Sequence, residues 1–155
     1  MFNLQTTSTT MELLPLVCLY ILAWSARTDQ TDPRVTGIAV MEDDDVVLPC
    51  SFGAMDITNM VFDWKKQNVA YNKREVFLYE SGAMYGPKRG GQAEHFKGRV
   101  FHFPNQLTSG NASIQIKPTK VDDSGTYICI KAATPPTTLS RVQLTVECKV
   151  VLMLT

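Results

Sequence analysis

The stretch Asp122-Asp123-Ser124-Gly125-Thr126-Tyr127-Ile128-Cys129 constrains the fold of this chain more than any other. A Tyr two residues before a Cys, entered through an Asp and a Gly, is the signature of a corner that launches a central strand of a two-sheet β-sandwich. Gly125 suits backbone angles that other residues resist. Tyr127 can bury its ring while its hydroxyl holds the corner. Cys129 then points between the sheets. A chain with such a corner needs an earlier Cys, a core Trp after it, and many short strands.

The upstream sequence supplies all three. Val46, Leu48, Cys50 and Phe52 alternate with other residues, as in a strand with one buried side. Trp64 follows Cys50 by 14 residues and shares a face with Phe62, opposite Asp63 and Lys65. Val35–Met41 reads as an edge strand and Glu75–Glu80 as a strand, with a short strand from Ala83 to Tyr85 beyond it. Arg99–Phe103 starts the return of the second sheet. The pattern there leaves open whether Val100 and His102 or Phe101 and Phe103 face inward. Ile114 and Ile116 alternate with Gln115 and Lys117. Thr126–Ala132 carries Cys129, Thr134–Thr138 is a proline-stiffened loop, and Arg141–Val146 alternates as the last strand.

The fold class is therefore all-β, an immunoglobulin V-set (variable-type) sandwich with one inter-sheet disulfide, Cys50–Cys129. The two extra strands after Trp64 separate it from the shorter constant type. The disulfide encloses 78 residues. In the chain-entropy model such a loop contributes about 4.5 kcal/mol. Trp64, Tyr127, Asp123 and Arg99 are the structural residues around it, with Arg99 a candidate ion-pair partner for Asp123 across the bottom of the sandwich. Glu42–Asp45 is four acids in a row without the spacing of a calcium loop, and reads as a solvated turn.

The ends set the compartment. Leu13–Ala23 is an 11-residue apolar run followed by small residues at Ala23 and Ser25, so residues 1–25 read as a signal peptide, although residues 1–12 hold no Lys or Arg. The run is short for a bilayer span, which needs about 20 residues. Residues 32–147 form the V-set domain, and 148–155 a short apolar tail. Export agrees with a disulfide. Loss of Cys18 with the leader leaves Cys148 over, a third cysteine that could join two copies. Asn111-Ala112-Ser113 is the sole N-x-Ser/Thr sequon and marks Asn111 for glycosylation.

The chain offers little for catalysis. Its two histidines, His95 and His102, have no acidic partner at a persuasive spacing and no nucleophile between them. No phosphate loop, metal-ligand cluster or cofactor motif is expected. Lys+Arg and Asp+Glu number 15 each, which argues against nucleic acid as a partner. What remains is a binding module. The sheet carrying Trp64, Cys129 and the last strand should expose Asp63, Lys65, Ile128, Ile130 and some of Phe77 and Tyr79, an apolar patch with a charged rim.

The run from Phe96 to Cys129 resembles the variable-type domain of the B-seven/butyrophilin family of T-cell co-signalling ligands. The likeness lies in Gly98-Arg99, Phe103-Pro104, Gly110-Asn111-Ala112-Ser113 and the Asp-x-Gly-x-Tyr-x-Cys corner, and with Cys50 and Trp64 it extends over residues 35–146. Leu139–Val142 lacks the Gly-x-Gly of antigen-receptor domains. The resemblance implies a protein receptor on lymphocytes as partner and a secreted or cell-surface location, with any membrane anchor lying C-terminal in a longer form. A homophilic adhesion module or accessory subunit, with a homodimer through the same face, is the alternative.

Overall fold

Alternating burial along short segments decides the architecture: β-strands such as those at Val46–Leu48, Val61–Lys66 and Ile114–Ile116 turn every second residue toward a shared interior. The computed structural model describes residues 35–84 and 91–149. In chain order the strands are β1 (Val35–Met41), β2 (Val46–Leu48), β3 (Val61–Lys66), β4 (Glu75–Glu80), β5 (Ala83–Met84), β6 (Val100–His102), β7 (Ile114–Ile116), β8 (Gly125–Lys131) and β9 (Thr137–Glu147). One sheet has the order β1-β9-β8-β3-β4-β5, the other β2-β7-β6. β1 runs parallel to β9, and the other pairs are antiparallel. The leader and residues 150–155 of the tail lie outside the described residues.

The interior is built from Leu48, Phe62, Trp64, Ile114, Ile116, Tyr127, Val142 and Leu144, all at 0% exposure. Each such side chain removed from water contributes about 1.5–3 kcal/mol. Cys50 and Cys129 are bonded across this layer, with Cα atoms 6.3 Å apart. Trp64 lies beside Cys129 in the β3–β8 register. Its indole Nε1 donates to the Ala112 carbonyl oxygen at 2.8 Å, tying β3 to the facing sheet. Cys148 is disulfide-bonded.

The open register at 100–103 resolves toward Val100 and His102. His102 lies 5.5 Å from both the Phe77 and Tyr79 rings, and burial holds its pKa below the usual histidine value. Phe101 stands outward at 43% exposure, beneath the Lys117 ammonium.

The corner before β8 is held by one fully buried carboxylate. Arg99 Nη1 donates to Asp123 Oδ2 at 2.8 Å and Nη2 to Oδ1 at 2.9 Å. The Lys120 amide donates to Oδ2, and His95 Nε2 lies 2.6 Å from Oδ1. The Tyr127 hydroxyl donates to the Asp123 carbonyl oxygen. Burial pushes the Asp123 pKa upward, but the Arg99, Lys120 and His95 contacts outweigh it and hold the carboxyl below its ordinary value. Burial, and then the Asp123 charge, push the Tyr127 hydroxyl well above its ordinary range.

Candidate binding face

β3 runs through the middle of the six-stranded sheet, between β4 and β8. Its inward residues are Phe62, Trp64 and Lys66, so Val61, Asp63 and Lys65 face out. Cross-strand register then fixes their neighbours. Asp63 sits between Leu78 on β4 and Ile130 on β8. Lys65 sits between Glu75 and Ile128, with Arg141 of β9 beyond Ile128.

The polar centre of this face is a trio. Lys65 Nζ lies 2.9 Å from Asp63 Oδ2 and 2.7 Å from Glu75 Oε1. One ammonium thus spans two carboxylates. Burial opposes the Lys65 charge, but hydrogen bonds to Glu75 and Asp63 raise its pKa overall. Asp63 is less well served. Its Oδ1 is buried and has no hydrogen-bond partner. Burial pushes the Asp63 carboxyl above its ordinary range despite the Lys65 contact. Around the trio stand the half-buried Val61, Leu78 and Ile130. The geometry offers surface complementarity: an apolar ring enclosing a carboxylate with an unused acceptor.

Two residues expected on this face are not there. Phe77 and Tyr79 point inward, at 4% and 2% exposure. Tyr79 stacks on Phe62 at 5.0 Å between ring centres, and its hydroxyl donates to the Thr58 carbonyl oxygen at 2.7 Å. The cause is a bulge. Trp64 pairs with Phe77 but Lys65 pairs with Glu75, so Val76 is an extra residue and is also buried. Glu75 and Leu78 take the outward places instead. A signal for this exists in the sequence: Glu75 and Glu80 have opposite parity, and both can face water only if the strand contains one extra residue. Ile128 does face outward, yet only 7% of it is exposed. The stems of its register neighbours Lys65 and Arg141 lie on either side.

A second bulge lies on β9. Cys129 pairs with Ser140 and Ile130 with Thr138, which leaves Leu139 over. The last strand therefore bends there without a Gly-x-Gly. Ser140 donates its hydroxyl to the Pro49 carbonyl oxygen at 2.7 Å.

Asn111 pairs with Ser51 in an isolated bridge beside the three-stranded sheet. Gly110 makes the approach possible: its φ is +82°, and a Cβ there would lie 1.9 Å from the Gly53 carbonyl oxygen. Asn111 Oδ1 accepts from the Ser113 amide, and Ser113 Oγ accepts from the Cys50 amide at 3.0 Å. His95 does meet an acid, Asp123, but that carboxylate is already held by Arg99 and the Lys120 amide. Among the described residues no group of three His, Cys, Asp or Glu side chains could hold a metal ion.

Two sheets joined by Cys50–Cys129, with Trp64 packed beside the bridge and two bulges in the six-stranded sheet, define the class. The chain belongs to the immunoglobulin V-set domain family, whose model matches residues 31–147. Domains of this family are typically extracellular and non-enzymatic. CXADR-like membrane protein from Xenopus tropicalis is 31% identical over 96 residues, which is 61% of this chain and 27% of that protein. V-set domain-containing T-cell activation inhibitor 1 from Homo sapiens is 31% identical over 87 residues, 56% of this chain and 29% of that protein. The chain thus spans under a third of the length of these relatives. Among solved structures, bovine butyrophilin shares the fold with a TM-score of 0.61 at 22% identity, over 74% of this chain and 54% of that one. Among the described residues no helix is long and apolar enough to cross a membrane.

Proposed function

We propose that this chain is an extracellular binding module that engages a lymphocyte receptor through the outer face of its six-stranded sheet and so regulates T-cell activation. The observation that carries the reading is the Asp63–Lys65–Glu75 trio, ringed by Val61, Leu78 and Ile130, with a buried carboxylate oxygen left unpaired. A buried acceptor without a donor costs about 1–3 kcal/mol, and a partner that supplies the donor recovers it on binding. One relative is named for inhibition of T-cell activation, and the fold is shared with butyrophilin. The module acts after export, secreted or at the plasma membrane. A glycan on Asn111 belongs beside the three-stranded sheet and leaves this face open. The test is to display the exported chain multivalently and stain activated lymphocytes. Staining that Asp63→Arg removes, together with altered T-cell proliferation, is the expected result. No staining and unchanged proliferation refute the reading.

A homophilic module is the second reading, and Arg141 favours it. Arg141 is exposed on the same face as Asp63, two strands away, so the face carries both a base and an acceptor that lacks a donor. A second copy related by a two-fold axis can bring the one toward the other. Sedimentation should then show concentration-dependent association that Asp63→Arg and Arg141→Glu each abolish. A clean monomer at high concentration excludes it.

A further inference from the structure

β3 carries a charge where its pattern calls for a core residue. Phe62, Trp64 and Lys66 share the inward face, and Lys66 is only 7% exposed. A buried ammonium needs acceptors for three donors. Lys66 Nζ donates to the Asp122 carbonyl oxygen at 2.7 Å and lies 5.7 Å from the centre of the Tyr127 ring. Among the described residues no carboxylate forms an ion pair with it. Burial holds its pKa below the usual lysine value, with the Asp123 and Asp122 charges acting the other way. The chain also makes room for this stem. Gly125 has φ +146°, and a Cβ there would stand 2.8 Å from Lys66 Cε.

Lys66 lines a cavity of about 240 Å³, together with Val69, Lys73, His95, Phe96 and Asp122. We infer that this cavity binds a small monocarboxylate with an apolar body: the carboxylate meets Lys66 and Lys73, and the body lies against Phe96 and Val69. Three features select this class. Ligand pockets usually span about 300–1,000 Å³, so the ligand here is small. Lys66 and Lys73 against Asp122 leave one positive charge, which suits one carboxylate and disfavours a dianion beside Asp122. The aromatic and aliphatic wall favours an apolar body over a bare inorganic ion. The site is formed by the β3–β4 hairpin, the turn at Glu94–Phe96 and the Asp122 corner, away from the Asp63 face, and does not depend on the function proposed for that face.

The test titrates the purified chain with sodium benzoate, acetate and phosphate at ionic strength fixed by sodium chloride, following the amide resonances of Lys66, His95 and Asp122. Benzoate should give a saturable shift, about tenfold tighter than acetate, with phosphate weaker than both. Lys73→Gln should weaken benzoate about tenfold at unchanged melting temperature, because Lys73 is exposed and holds no part of the fold. Lys66→Met should remove the saturable phase. That variant also loses the tie to Asp122, so Lys73→Gln is the deciding one. Shifts linear in benzoate, matched by chloride or untouched by Lys73→Gln reduce the cavity to a solvated void and overturn the inference. Phosphate binding tighter than benzoate overturns the ligand class.

Discussion

Asp123 and Asp63 each lie beside a basic side chain, at 2.8 Å from Arg99 and 2.9 Å from Lys65, yet their surroundings drive them in opposite directions. Asp123 is fully buried, and both its oxygens accept hydrogen bonds. Its pKa falls. Asp63 is partly exposed on the sheet face, and one oxygen accepts nothing. Its pKa rises. Burial alone separates neither case, since it pushes both upward. What differs is the number of contacts, two from a guanidinium, one from a backbone amide and one from the His95 ring against a single shared ammonium. The complete cluster holds the corner. The incomplete one leaves an acceptor on the sheet face without a donor.

The largest effect belongs to the complete cluster. Asp123→Ala leaves Arg99 buried without its counter-charge and should cost about 3–5 kcal/mol in chemical denaturation. A loss below about 1 kcal/mol would mean that the pair contributes only register. Tyr127→Phe, which removes the bond to the Asp123 carbonyl oxygen and nothing else, should cost about 1–3 kcal/mol.

Acid should act on the two aspartates with opposite sign. The folded pKa of Asp123 is depressed, so its contribution is present above the unfolded aspartate value of about 3.9 and is lost as pH falls through the lower folded value. Stability should drop below about pH 4, and Asp123→Ala should flatten that limb. The folded pKa of Asp63 is raised, so the native state takes up a proton first and gains stability as pH falls from neutral through that value. Asp63→Asn should remove this gain.

The smallest effect is the stability change of Asp63→Asn itself. It should leave the domain within about 1 kcal/mol of the parent, because a poorly solvated charge is replaced by a neutral amide. The same change should abolish partner binding. A large destabilisation would show that Asp63 is structural, and would dissolve the contrast with Asp123.

Much of the fold was readable because it rests on local alternation and a few spaced residues. Cys50, Trp64 and Cys129 set the sandwich, and the strands fall within a few residues of their expected ends. The face was readable only in part. Asp63 and Lys65 stand where alternation from Trp64 puts them, and Ile130 where alternation from Cys129 does. Phe77 and Tyr79 do not, because one extra residue at Val76 reverses parity for the rest of β4. The register at 100–103 was open because both candidate pairs are apolar or aromatic. Only stacking on Phe77 and Tyr79 decides for His102.

The sequence by itself determined the class of this protein: a β-sandwich with a cysteine bridge, a core tryptophan and a tyrosine corner. Those features follow from period and spacing, which a linear chain displays. Only the tertiary structure decided which charges are satisfied. The Arg99–Asp123 pair was a candidate from the corner motif, but Lys65 reaches Glu75 across ten positions and Lys66 ends on Asp122 across 56. No periodicity encodes such meetings. They depend on where two bulges shift the register and on how many donors reach each buried oxygen, and those are properties of the packed sheets.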